Sequence, residues 1–112
     1  MTGDFSSVPS LPREVAVQRI KIGNPEERQA AVISLALNDA DWRWVQQLCL
    51  ALLSDPDPRI VSAAILSLGH VARVHAQIDR DKVIPALNVL VKDPMHADRA
   101  REALSDIEIF AA

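Results

Sequence analysis

Aromatic residues are scarce in this chain, since its 112 residues include two Trp, two Phe and no Tyr. Hydrophobic residues nevertheless make up 49% of the sequence, so most of them are Ala, Leu, Val and Ile. Small and aliphatic side chains let helices pack closely, and this composition therefore favours an all-α fold. The length is that of one domain, which excludes a two-domain enzyme.

Cysteine and glycine are also rare. The single cysteine, Cys49, cannot form an internal disulfide, and it lies in an aliphatic run. Burial among aliphatic side chains raises the pKa of a thiol, so we expect Cys49 to be an inert core residue. Gly3, Gly23 and Gly69 are the three glycines, and their scattered positions exclude a glycine-rich phosphate loop.

An excess of basic residues is absent as well. Twelve Lys and Arg stand against fifteen Asp and Glu, giving a net charge of −3, which argues against a nucleic-acid partner. No apolar run approaches the roughly 20 residues that span a bilayer. Residues 1–12 lack the basic and apolar regions of a signal peptide. We therefore expect a cytoplasmic protein without a membrane partner.

Regular breaks divide the chain into helical segments. Asn24, Asp57 and Asp93 each precede a proline, which is the pattern of a capped helix start with Pro at the first position. Asp41, either Asp79 or Asp81, and Ser10 are expected to cap three more helices. Residues 1–10 are predicted to form a flexible tail and residues 11–112 one domain. The predicted helices are 11–22, 25–37, 42–54, 58–75, 81–92 and 94–109.

The second, fourth and sixth helices repeat one pattern. Residues 30–36 (Ala-Ala-Val-Ile-Ser-Leu-Ala) match residues 63–69 (Ala-Ala-Ile-Leu-Ser-Leu-Gly) step by step, and the helix after Pro94 is a more polar third copy. Residues 45–55 and 83–93 agree more loosely. Each unit is a helix pair that cannot bury its apolar stripe alone, so about three stacked units are needed for a continuous core.

Residues 55–71 resemble the second helix of a HEAT repeat, particularly of the short bacterial kind, through an Asp-Pro loop, an Ala-Ala pair and a Leu-Gly near the end. Tetratricopeptide and ankyrin patterns fit worse. The resemblance covers residues 24–109 and implies a right-handed α-solenoid of three antiparallel helix pairs. HEAT-like repeats usually carry an Arg where this chain has Arg28, Val61 and Ala97, so the resemblance implies a loop-bracing Arg in the first unit only.

Catalytic groupings are not evident. His70 and His75 lie five residues apart and do not share a helix face, and His96 belongs to a distant helix start. Solvated or hydrogen-bonded imidazoles are favoured over metal ligands, so no metal site and no cofactor are proposed. Ser and Cys residues have no identifiable His and acid partners. We therefore predict that the protein is not an enzyme.

A solenoid offers instead a concave surface lined by its second helices. Helical geometry turns Leu66, His70 and Arg73 toward that side, and Ile33 is the equivalent of Leu66 in the first unit. Exposure of both aliphatic side chains would create an apolar binding patch. The alternative is that the short solenoid curls enough to bury them, or that Phe5 and Val8 cover them. The equivalent stripe of the third unit is charged, and it consists of Asp98, Arg101, Glu102, Ser105 and Asp106.

Two further features are candidates for partner binding. Trp42 and Trp44 flank Arg43, and Trp is the residue type most enriched in binding hot spots. The stronger alternative is that both rings pack at the edge of the core. Acidic loop residues would steer a basic partner toward the loop edge. These residues are Asp39, Asp41, Asp55, Asp57, Asp79, Asp81 and Asp93.

Small, acidic, free-standing HEAT-like proteins of bacteria resemble immunity proteins of polymorphic or contact-dependent toxins. The resemblance therefore implies a protein that binds and neutralises a cognate toxin, possibly a nuclease. A HEAT-like adaptor or assembly scaffold is the alternative. A nucleic-acid binder like the HEAT-like DNA glycosylases fits the net charge poorly. Self-association through the terminal helices also remains open, because each end carries several aliphatic side chains.

Overall fold

A computed structural model describes residues 10–112, and this part of the chain contains six α-helices and no strand. The predicted tail over residues 1–10, with Phe5 and Val8, lies outside the described residues except for Ser10. None of the described helices is long and apolar enough to cross a membrane. The helices are α1 (Arg13–Ile22), α2 (Pro25–Asn38), α3 (Trp42–Leu52), α4 (Pro58–His75), α5 (Arg80–Val91) and α6 (Ala97–Phe110).

Three of the predicted caps are confirmed. The side chain of Asn24 accepts a hydrogen bond from the amide of Glu27, and the Glu27 side chain accepts one from the amide of Asn24, so α2 opens with a capping box. Asp41 and Asp57 accept bonds from amides in the first turns of α3 and α4. These helix starts follow from local sequence, because the cap and its partner are two or three residues apart.

Two other predicted starts are wrong. α1 begins at Arg13 after Pro12, and Ser10 does not cap it. α6 begins at Ala97 instead of Pro94, because Asp93 accepts a hydrogen bond from the amide of Met95 within a turn that precedes the helix. Asp79 does precede α5, but its carboxylate bonds to Gln46 rather than to the helix.

The helices form two layers. α4 packs against both α2 and α6, so the second helices of the three pairs lie side by side, whereas α1, α3 and α5 contact mainly their own second helices. Because α2, α4 and α6 pack against one another more closely than α1, α3 and α5 do, their side is the concave side of an α-solenoid. The core runs between the layers, and α4 supplies the largest share of it, with eleven buried residues. The predicted all-α solenoid of three helix pairs is confirmed.

Gly69 lies where α4 contacts α6 and leaves room for the Asp106 carboxylate. A Cβ atom at this position would lie 2.8 Å from Asp106 Oδ2 and 3.5 Å from Ala103 Cα. The glycine of the Leu-Gly signature thus provides room for α6, and small residues such as Ala64 and Ala103 line the same contact region of the core. The resulting tight packing gives the molecule nearly equal dimensions of 30 × 28 × 28 Å.

Side chains on the first three helices hold the loops in place, and we call these contacts loop clamps. Arg13 donates two hydrogen bonds to Asp39, at 2.8 and 2.7 Å. Buried Gln46 of α3 donates to Asp79 Oδ2 at 2.8 Å and accepts from the Asp79 amide at 2.7 Å. Each clamp joins a helix to the loop that follows the next helix. Consecutive helices are therefore locked together by polar contacts as well as by the core.

Arg28 makes the central clamp. Its Nε donates to the carbonyl oxygen of Ile20 at 2.7 Å, and Nη2 donates to Asp55 Oδ2 at 2.6 Å. The hydrogen bond from Arg28 keeps the pKa of Asp55 below its ordinary value. One guanidinium thereby ties the end of α1 to the loop between α3 and α4, which is the bracing role that the HEAT resemblance implied for this position.

Replacing Arg28 with alanine should therefore destabilise the fold. We expect Arg28→Ala to lower the free energy of unfolding by about 2 kcal/mol, because it leaves a partly buried carboxylate and a carbonyl without their donor. Arg59→Ala is a matched control, since Arg59 forms an exposed ion pair with Asp57 and should contribute about 0.5 kcal/mol or less. Urea denaturation of both variants measures the difference, and equal losses would contradict a bracing role for Arg28.

Ala76, at the end of α4, has a backbone conformation that glycine adopts more easily than alanine. Ala76 has a φ of 55°, in the left-handed region where a Cβ atom is crowded. We expect Ala76→Gly to raise the free energy of unfolding by about 0.5–1 kcal/mol. Ala51→Gly within α3 should instead lower it by about 1 kcal/mol. Thermal and urea denaturation would detect the opposite signs, and a loss for Ala76→Gly would refute the explanation.

Candidate protein-binding face

The concave face is the outer surface of α2, α4 and α6, and two adjoining clefts open on it. The first lies between α2 and α4 and has a volume of about 110 Å³. The second lies between α4 and α6 and has a volume of about 410 Å³. Leu66 lines both clefts and so occupies the middle of the face. Their other lining residues are Gln29, Ile33, Ser62, Ala63 and Arg99 in the first, and His70, Arg73, Glu102, Ser105 and Asp106 in the second.

The predicted exposure of the two aliphatic side chains holds only in part. Leu66 is half-buried, whereas Ile33 is 7% exposed and lies at the base of the first cleft beside Ala63. The expectation for Ile33 is therefore wrong. Close packing of α2 against α4 buries it, which agrees with the alternative that the short solenoid curls. A cover formed by Phe5 and Val8 lies outside the described residues.

His70 and Arg73 carry the polar chemistry of the second cleft. Arg73 is exposed, and its guanidinium donates a hydrogen bond to Nδ1 of His70. His70 is 2% exposed. Burial, followed by the positive charge of Arg73, lowers the pKa of His70 to about 4. The imidazole is therefore neutral near pH 7 and leaves Arg73 as the positive charge at the mouth of the cleft.

Acidic groups face this arginine across the cleft. Asp106 of α6 is half-buried, and burial raises its pKa from the ordinary value, an effect that Arg73 opposes and Glu102 reinforces. The second cleft thus presents one arginine and two carboxylates around the apolar Leu66. This mixture is suited to a protein surface that carries both charges, and it differs from the uniformly basic groove that nucleic acid requires.

The other predicted site residues lie elsewhere. Trp42 and Trp44 of α3 are half-buried against the core, and neither lines a cleft of the concave face. Arg43 stacks over the Trp42 ring at 4.6 Å and Arg13 over the Trp44 ring at 4.2 Å. Arg101 of α6 is exposed and pairs with Asp98. Structural placement therefore brings Ile33, Leu66, His70 and Arg73 together and leaves the two tryptophans apart.

The sequence did not predict that several loop carboxylates accept hydrogen bonds from side chains of the same chain. Asp39, Asp55 and Asp79 belong to loop clamps, so much of their charge is answered within the chain. Their partners lie 26 to 33 residues away, and no local motif announces the pairing. The recurrence of a loop aspartate 26 to 33 residues after a long polar side chain is the signal that could have revealed it.

The single cysteine and the possible metal ligands can be placed within the described residues. Burial raises the pKa of the Cys49 thiol to about 12, and the side chain is inaccessible, as expected for a core cysteine. No group of three or more His, Cys, Asp or Glu side chains within residues 10–112 is placed to hold a metal ion. What the described surface offers is shape and charge for binding.

A model of HEAT repeats matches residues 14–107. The chain belongs to the HEAT-repeat family. A chain of a solved structure described as a CDI complex from Cupriavidus taiwanensis LMG 19424 is similar to it, with 27% sequence identity and a TM-score of 0.80. The match covers 99% of this chain and 100% of that one. No curated protein matches. Together, the family and this structural neighbour indicate a fold built for protein binding.

The environment of His70 predicts a specific pH dependence of stability. Above pH 6.5 the imidazole is neutral in both folded and unfolded chains, but between 6.5 and about 4 only the unfolded chain binds the proton. Stability is therefore lost as the pH falls through this window. We expect wild type to lose about 3 kcal/mol more than His70→Gln between pH 7 and pH 4. Urea denaturation across this range measures the free energy of unfolding at each pH, and Ser67→Ala is a buried control without a titrating group. Parallel pH curves for wild type and His70→Gln would overturn the explanation.

Proposed function

We propose that this protein is an immunity protein that binds a cognate toxin of a contact-dependent inhibition (CDI) system and neutralises it without catalysis. The observation that carries the proposal is the whole-length similarity to a chain of a CDI complex, which covers 99% of this chain and 100% of that one. Sharing of a fold alone does not fix a function. Equal length matters here because it leaves no extra domain in the neighbour to carry the complex-forming role.

The physical basis of binding is the concave face. Leu66 offers an apolar centre, and Arg73, Glu102 and Asp106 surround it with charges of both signs. A central apolar contact inside a polar rim is the usual anatomy of a specific protein interface. Ile33 and His70 contribute as the floor beneath this surface rather than as exposed contacts. We propose that Arg101 extends the rim along α6.

The protein would neutralise the toxin by covering its active surface, without a catalytic step. A molecule of about 30 Å in each direction can cover the active surface of a small toxin domain. The net charge of −3 favours a basic partner, as expected for a nuclease toxin that must attract nucleic acid. Trp42 and Trp44, which lie on the other layer, would be hot spots only if the toxin wraps around α3.

The experiment is to purify the protein with the product of the neighbouring gene and to measure complex formation and toxicity. We expect a tight one-to-one complex and loss of toxicity when both genes are expressed. A neighbour that is harmless, or that does not bind, would sink the proposal. Several unrelated partners recovered together would favour an adaptor or scaffold instead.

The concave face can be tested within the same complex. We expect Leu66→Gln to weaken affinity at least about tenfold, because it places a polar group at the centre of the interface. Val89→Gln is the matched control, since Val89 is an exposed aliphatic residue on α5 in the other layer and should leave affinity unchanged. Isothermal titration calorimetry measures both. Weakening by Trp44→Ala with no effect of Leu66→Gln would move the interface to α3.

A further inference from the structure

Three loop aspartates share one local geometry. Asp39, Asp55 and Asp93 each accept, through Oδ1, a hydrogen bond from the amide two residues ahead, and the distance is 2.9 Å in all three. This bond fixes the orientation of the carboxylate and leaves the second oxygen, Oδ2, available to another donor. Asp55 and Asp93 follow the first helices of their pairs and lie at the same edge of the solenoid, whereas Asp39 follows α2 and lies at the opposite edge.

Only two of these carboxylates are clamped by an arginine. Arg13 pairs with Asp39 at 2.7 Å and Arg28 pairs with Asp55 at 2.6 Å. The repeat that aligns residues 30–36 with 63–69 places Val61 at the position of Arg28. Asp93 consequently has no ion pair and no further side-chain hydrogen bond within residues 10–112. The second unit thus retains the acceptor of the clamp and lacks its donor.

A cavity of about 360 Å³ lies where that donor would be. It is bounded by the loop between α3 and α4 on one side and by residues 93–96 on the other, with Val61 in its wall. Apolar groups make up much of the lining, and Asp93 is half-buried at its edge. The apolar lining residues are Leu53, Pro56, Pro58, Val61, Leu90 and Met95.

A second polar group in this cavity also lacks a partner. His96 is 7% exposed, lines the cavity, and makes no side-chain hydrogen bond within the described chain. Its ring nitrogens are not among the fully buried atoms that lack a hydrogen bond, so they reach the solvent of the cavity and are open to a ligand that enters it. Two independent features, an unpaired carboxylate and a buried imidazole, therefore face the same space.

We propose that this cavity is a binding site for one arginine side chain of a protein partner. The inserted guanidinium takes the place that Arg28 occupies in the first unit, donating to Asp93 Oδ2 and to a ring nitrogen of His96. Its aliphatic stem packs on Val61, Leu90 and Met95. Arginine fits better than lysine because its planar fork can reach both acceptors at once.

This inference goes beyond the proposed function, since it concerns a side-chain site on the loop edge and holds whatever the partner is. It can be tested without a partner by titrating N-acetyl-L-arginine amide into the ¹⁵N-labelled protein at low salt. We expect saturable shifts of the amide signals of Val61, Asp93 and His96. The citrulline analogue has the same shape without the charge and should bind at least about tenfold more weakly, as expected when hydrogen bonds to a charged group are lost.

Two variants identify the carboxylate. Asp93→Asn keeps an acceptor for the amide of Met95 but removes the charge, and it should weaken the arginine probe about tenfold. Asp98→Asn is the control, because it removes the same charge from a fully exposed side chain and should leave binding unchanged. Equal weakening by both variants, or no saturable shift at all, would overturn the proposal. Equal affinity for N-acetyl-L-lysine amide would overturn the assignment to arginine.

A third variant supplies the missing donor within the chain. We expect Val61→Arg to fill the cavity with its own guanidinium and to abolish the shifts caused by the probe. Circular dichroism establishes whether this variant folds, and the test with Asp93→Asn does not depend on it. A folded Val61→Arg protein that binds the probe as tightly as wild type would refute the site.

Discussion

Close packing along α4 is the constraint on which the rest of the structure depends. This helix lies between α2 and α6 and contributes eleven buried residues, so it belongs to every part of the core. Small side chains such as Ala64 and Ala103 permit the approach, and Gly69 leaves room for the Asp106 carboxylate beside α4. Because these helices lie close together, the concave side is reduced to two clefts. Ile33 is therefore buried at the base of the first cleft, and Leu66 is the apolar side chain that remains accessible between the two.

Polar contacts at the loop edge complement this packing. A HEAT repeat has no strand pairing to fix the relation between units, so neighbouring helix pairs could rotate against one another at little cost in buried area. Arg13, Arg28 and Gln46 each reach across to the loop that follows the next helix. Bidentate geometry makes these contacts directional. They therefore add directional contacts between neighbouring helix pairs to the packing of the aliphatic core.

Much of the architecture could be predicted from the sequence because its signals are local. Asn24 and Asp57 cap helices through partners two or three residues away, and the repeat of Ala-Ala and Ser-Leu indicated stacked helix pairs. The start of α6 was misplaced because Asp93 closes a turn with the same residue types that open a helix. Exposure of Ile33 could not be predicted, since it depends on curvature, which a single helix does not encode.

Helical spacing within α4 and α6 was enough to predict which side chains face the concave side, and whether these residues bind a partner stays a prediction. Leu66, His70 and Arg73 lie on α4, where helical spacing places them on a common face, and the second cleft does bring them together. Glu102 and Asp106 come from α6, where the repeat places them on the concave side of the third unit, but their position opposite Arg73 depends on how α4 and α6 pack. Trp42 and Trp44 were candidates because Trp is rare in the chain and common in binding hot spots. In the structure both side chains pack against the core in the other layer.

Because Cys49 is buried, its reaction with a thiol reagent can report transient opening of the fold. It is the single thiol of the chain, it is fully inaccessible, and its raised pKa keeps it protonated. A thiol reagent can modify it only while α3 is detached from α4, so the rate of labelling counts openings of the middle unit. Any molecule that holds the units together will slow this reaction, and the native cysteine can therefore follow assembly without an added probe.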